Sequence, residues 1–176
     1  MRNRVQRAAV VSGLTLAYLT FQQVVFTLGY LNGLPLDQVL MMVAQTGGLV
    51  LSHYLPFSLG VFVTLWLLAP VAADTSLASV IRRSVLAAGV GAVVVVFVRA
   101  AVSSAGAFSG VGSFFGNSFP SLPYDSVLWA LGHGIQAGLG SFVQLLPLVM
   151  LLVVLSWMWL AKHPSRHAVS AGAVEV

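Results

Sequence analysis

Charged residues are absent from long stretches of this chain. No Asp, Glu, Lys or Arg occurs at positions 8–36, 38–73, 84–98, 100–124 or 126–161, and only 7% of all residues are charged. A soluble domain usually has about a quarter of its residues charged. A helix that crosses the hydrocarbon core of a bilayer needs about 20 predominantly apolar residues, so most of these stretches are long enough to cross. The sequence therefore predicts an all-α integral membrane protein with four transmembrane helices.

The basic residues predict how these helices are oriented. Seven of the eight fall on one side of a four-span arrangement: Arg2, Arg4, Arg7, Arg82, Arg83, Lys162 and Arg166. Lys and Arg accumulate on the cytoplasmic side of membrane proteins, so we expect both termini in the cytoplasm and a location in the cell membrane. The net charge of +4 thus reflects topology, and the expected partner is the lipid bilayer, with no nucleic acid.

An internal repeat suggests how the chain is organised. The heptapeptides LPLDQVL at 34–40 and LPYDSVL at 122–128 match at five of seven positions with an offset of 88. Further pairs, at offsets of 91 and 76, are Gly47 with Gly138, Pro56 with Pro147, and Arg7 with Arg83. Within a single membrane domain covering 1–176, the pattern predicts a tandem duplication of a two-span unit, with unit one at about 4–70 and unit two at about 80–161. Residues 165–176 are predicted to be a disordered cytoplasmic tail.

Two of the apolar segments are longer than a membrane requires. As continuous helices, 36–69 and 125–161 would measure about 51 and about 55 Å, against a hydrocarbon core of about 30 Å. Each is therefore predicted to form a short outer-leaflet or re-entrant helix, then a break at Gly47-Gly48 or Gly138, and then the true span.

The start of each short helix carries an acidic residue. Asp37 and Asp125 lie where the positive end of the helix dipole favours a carboxylate. Both are predicted on the outer side, where Arg99, the one basic residue away from the cytoplasm, is also expected. An ion pair between Arg99 and these carboxylates is one interpretation, and an anion or lipid-phosphate contact of the guanidinium is the other.

Polar groups within a bilayer are costly enough to be functional candidates. Those predicted to line a polar path or a helix interface are Gln22, Gln23, His53, Arg99, His133, Gln136 and Gln144. At 100° per residue, His133, Gln136 and Gln144 fall within about 80° of one another on one helix. They indicate either a hydrated path or a dry interface where amides hydrogen-bond between closely packed helices.

Enzyme motifs are missing from the sequence. The chain has no cysteine, no P-loop, no dinucleotide-binding glycine pattern, no HExxH and no GxSxG. No catalytic residue, cofactor-binding residue or metal ligand is predicted. Two histidines within the membrane raise haem ligation as a hypothesis, but the repeat pairs His53 with Gln144 and His133 with Gln45, so neither histidine matches another.

Three classes of function follow. The first is a non-catalytic subunit or accessory protein that packs against a membrane-protein partner or a second copy. The second is a small-solute permease or channel, which four spans would form as a homo-oligomer. The third is a haem or redox membrane protein.

Overall fold

The described part of the chain contains four long helices and no strand. The computed structural model describes residues 2–31, 34–71, 75–114 and 124–162. Within these ranges, the side chains of residues 2–4, 104–114 and 124–127 are not described. Helix α1 is Arg2–Tyr30, α4 is Leu77–Phe114 and α5 is Tyr124–Lys162. Between α1 and α4, α2 (Leu36–Leu49) and α3 (Leu55–Val63) form one continuous helix through the π-helical segment Val50–Tyr54. A second π-helical segment, Thr64–Leu68, extends it, and the whole is called the α2–α3 helix.

Four of these helices are long and apolar enough to cross a membrane, as the sequence predicts. The apolar segments are Val5–Tyr30, Leu36–Leu68, Leu77–Ser103 and Leu128–Lys162. This composition and length indicate a membrane-embedded protein. The expected tail at 165–176 lies outside the described residues.

The structure does not show the short outer helices. Gly47 and Gly48 lie inside α2, and Gly138 and Pro147 lie inside an unbroken α5. A glycine inside a helix costs about 1 kcal/mol, whereas each backbone group left unpaired in hydrocarbon costs several times that amount. Continuing the helix is therefore less costly than breaking it. As continuous helices, both segments are longer than the roughly 30 Å thickness of the hydrocarbon core.

Proline explains the first π-helical segment. The ring of Pro56 clashes with the carbonyl group four residues earlier, and the residue has no N–H to donate. The preceding turn widens, so that the Leu55 N–H donates to the carbonyl oxygen of Val50, five residues back. The Ala69 N–H likewise donates to the Thr64 carbonyl oxygen at 2.8 Å just before Pro70. The chain thus keeps its backbone paired while changing the direction of its side chains.

Glycine determines which helices pack closely. A Cβ atom on Gly60 would lie 2.6 Å from the Cα atom of Gly91, so α3 and α4 touch backbone to backbone. On the other side of α4, a Cβ atom on Gly134 of α5 would lie 2.7 Å from the carbonyl oxygen of Val96. Small residues allow this approach in membrane helices. Helix α4 is therefore held tightly between α3 and α5, with Phe57 fully buried at the first contact.

The basic side chains gather at one end of the bundle, here called the basic end. Arg7, Arg83 and Trp157 each donate a hydrogen bond to a backbone carbonyl in the connection between the α2–α3 helix and α4. The acceptors are Val71 at 3.4 Å for Arg7, Pro70 for Arg83, and Thr75 at 3.0 Å for Trp157. The opposite end is called the far end. The four helices run antiparallel to their neighbours, in the order α1, α2–α3, α4, α5 around the bundle.

We expect Gly60→Ala to destabilise the protein, because the new methyl group would overlap the backbone of α4. Overpacking of this kind costs about 1–3 kcal/mol. Thermal unfolding in detergent measures the effect. Gly13→Ala is the control, since nothing lies within 4 Å of a Cβ atom at Gly13. Equal melting temperatures for the two variants would contradict the backbone contact.

Candidate functional site

Three consecutive residues of the first π-helical segment bond to the three other helices. Ser52 accepts a hydrogen bond from Arg99 Nη1 of α4 at 3.2 Å. The next residue, His53, bonds through Nε2 to Ser141 Oγ of α5 at 2.9 Å. Tyr54 then donates its hydroxyl to Gln23 Oε1 of α1 at 3.1 Å. Successive side chains on a helix point in widely different directions, so this one turn connects the whole bundle. We call these six residues the polar junction.

Ser141 connects His53 to the backbone of α5. Ser141 Oγ lies 2.9 Å from His53 Nε2 and 2.7 Å from the carbonyl oxygen of Ala137, one turn earlier in α5. The carbonyl can only accept, so a serine proton directed to it leaves Oγ as the acceptor for an Nε2–H group. In that arrangement Nδ1 is the hydrogen-bond acceptor of the ring.

A cavity of about 810 Å³ adjoins the polar junction where α1 faces α5. Its polar lining consists of Tyr18, Gln22, Gln23, His53, Tyr54 and Gln144. Phe26, Pro147 and leucines of α1 and α5 complete the wall. The structure thus brings together four of the sequence-predicted polar residues: Gln22, Gln23, His53 and Gln144.

The two amides on the open side of this cavity have no hydrogen-bond partner. Gln22 and Gln144 are both exposed, and within the described ranges neither bonds to another residue. Gln144 lies 13 residues from Trp157, or about 20 Å along α5 at 1.5 Å per residue. A position of Trp157 near the interface, which is common for this residue, would place the amides in the far half of a core about 30 Å thick.

The remaining candidates lie elsewhere. His133 and Gln136 are exposed and do not line the cavity, and the ring centroid of His133 lies 4.1 Å from that of Trp129. His133 is 11 residues beyond Gln144 on α5. Because α1 runs antiparallel to α5, a position 11 residues before Gln144 on α5 lies beyond the end of α1 at Tyr30. Helix α1 therefore lies beside Gln144 but does not reach His133.

Arg99 makes a contact that the sequence did not predict. It is half-buried and donates to Ser52, and within the part of the chain that has described side chains it forms no ion pair with Asp37. Asp37 lies exposed in the first turn of α2. Asp125 lies in the first turn of α5, with its side chain outside the described part.

Ser52, Tyr54 and Ser141 were not predicted as site residues. The position of Ser52 and Tyr54 on either side of His53, four and two residues before Pro56, was the available indication, because a proline distorts the turn that precedes it. A bond between Thr27 and Thr46 at 2.9 Å, which joins α1 to α2, was also not predicted.

The described side chains do not form a metal or haem centre. No group of three or more His, Cys, Asp or Glu among them is placed to hold a metal ion. His53 is bonded within the polar junction, while His133 lies beyond the end of α1 and does not line the same cavity. The donor set for paired histidine ligation is thus not assembled in the described chain.

Comparison with family models, curated proteins and solved structures found no match to this chain.

The hydrogen bond between Tyr54 and Gln23 should couple α1 to the α2–α3 helix. Side-chain hydrogen bonds between membrane helices contribute about 0.6 kcal/mol on average and up to about 1.7 kcal/mol. We expect a double-mutant cycle of Tyr54→Phe and Gln23→Leu, measured by unfolding in detergent, to give a coupling energy in this range.

Tyr18→Phe is the matched control for that cycle. Tyr18 lines the same cavity but makes no bond to Gln23, so its cycle with Gln23→Leu should be additive. Additivity for Tyr54→Phe as well would show that the bond does not stabilise the fold.

Proposed function

We propose that this protein is a non-catalytic subunit or accessory protein of a membrane complex. The observation that carries the proposal is the pair of unpartnered amides, Gln22 and Gln144, on the open side of the cavity between α1 and α5. An amide transferred to an apolar environment without a hydrogen bond costs about 2–7 kcal/mol. A polar side chain of a neighbouring membrane helix would satisfy these groups.

The position of the cavity favours a partner at the side of the bundle. The polar lining is confined to the far half of the space between α1 and α5. Towards the basic end, Val11, Val149 and Val153 close the interior with almost no exposure. A continuous path for a solute through one chain is therefore blocked by apolar side chains, whereas the lateral opening is accessible to another helix.

The second candidate is a small-solute permease or channel that acts as a homo-oligomer. The volume of about 810 Å³ and the four polar side chains from the predicted set favour it. In this case a second copy supplies the missing wall of the path, and the cavity holds water. Both candidates share a four-pass arrangement in the cell membrane with the basic end and both termini in the cytoplasm.

A tandem duplication would account for the open side of the bundle. The repeat offsets of 76 and 91 equate Thr15 with Gly91 and Leu151 with Gly60. The close glycine contact between α3 and α4 would then correspond to a contact of Thr15 with Leu151 between α1 and α5. Side chains larger than glycine at these two positions would hold α1 and α5 farther apart and leave room for the cavity.

Cysteine labelling distinguishes a wet cavity from a covered one, because the native chain has no cysteine. We expect Gln22→Cys and Gln144→Cys to resist a membrane-impermeant maleimide added to whole cells. Asp37→Cys, exposed at the far end, is the labelled control, and Val149→Cys, fully buried, is the protected control. Labelling of both amide positions as fast as Asp37→Cys would instead favour the permease.

Photo-crosslinking then tests for the partner. A crosslinking amino acid at Gln144 should capture a membrane protein that the same group at Leu139 does not, since Leu139 is exposed on α5 but does not line the cavity. A product with the mass of two copies would identify a homo-oligomer. Identical products from both positions would refute a specific partner at the cavity.

A further inference from the structure

A second cavity lies between α1 and α5 at the basic end. Its volume is about 620 Å³, and it shares no lining residue with the polar cavity in the far half. The residues that matter here are Gln6, Arg7, Val10, Leu155, Trp159 and Leu160. This cavity exists because α1 and α5 touch at few positions, whereas α4 and α5 pack along most of their length.

The lining changes character with depth. Gln6 and Arg7 on α1, with Trp159 on α5, form the rim nearest the helix ends. One turn further in, Val10 and Leu155 form apolar walls, and both are exposed to the cavity. Tryptophan concentrates at the depth of lipid headgroups. A charged rim above an apolar wall is the arrangement that suits a lipid, with its headgroup outside and its chain inside.

The charge of the rim selects an anion. Arg7 is half-buried and uses one nitrogen for a long bond of 3.4 Å to Val71, whereas a guanidinium has five N–H donors. Lys162 is exposed one turn beyond Trp159 and adds a second positive charge.

We propose that this cavity binds an anionic phospholipid, with its phosphate on Arg7 and one acyl chain along Val10 and Leu155. The lipid fills the space between α1 and α5 at the basic end and holds α1 against the bundle. Guanidinium is well suited to phosphate because its planar donors match two phosphate oxygens at once. This site is independent of the function proposed above, since it uses a different cavity and different residues.

Thermal unfolding of the purified full chain in detergent tests the site. Phosphatidylglycerol should raise the melting temperature by about 5 °C or more at saturation, as expected for a ligand that binds only the folded state. Phosphatidylcholine, which has the same glycerol-phosphate backbone but no net charge, should give less than half of that shift. Equal shifts from the two lipids would overturn the proposal.

Two variants locate the binding. Arg7→Gln should abolish most of the difference between the lipids, while Arg82→Gln should keep it, because Arg82 is exposed at the same end but does not line the cavity. Val10→Trp fills the apolar part and leaves Arg7 in place, so it should also lose the shift. A shift that survives in Val10→Trp, or falls equally in Arg82→Gln, would assign the effect to general surface charge. Glycerol phosphate should not reproduce the shift, and if it does, the site takes a free phosphate.

Discussion

The constraint on which the rest of this structure depends is the absence of water from the hydrocarbon core. Every backbone N–H and carbonyl there must find its partner within the chain. The consequence is visible at Gly47, Gly138 and Pro147, where sequence patterns that would end a helix in a soluble protein lie inside continuous helices. The same constraint converts the distortion before Pro56 into a π-helical turn with paired backbone groups instead of a break.

This π-helical turn also determines where the polar side chains point. With Ser52, His53 and Tyr54 in succession, the α2–α3 helix reaches α4, α5 and α1 through one hydrogen bond each. Polar groups that would be expensive alone in the membrane satisfy one another across the bundle. Among the described residues that line the adjoining cavity, the amides of Gln22 and Gln144 have no hydrogen-bond partner, and they are the basis for proposing a partner there.

The sequence was sufficient to predict the four helices but not how they pack against one another. Charge-free stretches predicted an all-α chain with four helices able to cross a membrane, because hydrocarbon selects directly on residue type. The predicted helix breaks are absent from the described helices. Glycine and proline end helices in soluble proteins, but in lipid the cost of leaving backbone groups unpaired is larger than the cost of keeping these residues inside a helix. The grouping of Gln22, Gln23, His53 and Gln144 required the register of three helices, and His133 was separated from them only because α1 ends at Tyr30.

The contact between Gly60 and Gly91 has an evolutionary consequence. A backbone-to-backbone contact leaves no room for a side chain on either glycine. Substitutions at these two positions would therefore be selected against. No glycine in the described parts of α1 and α5 makes such a contact between these two helices, so a substitution there would not force a helix to move. New binding specificities would therefore arise on the α1–α5 side, while the α3–α4 side preserves the scaffold on which they are selected.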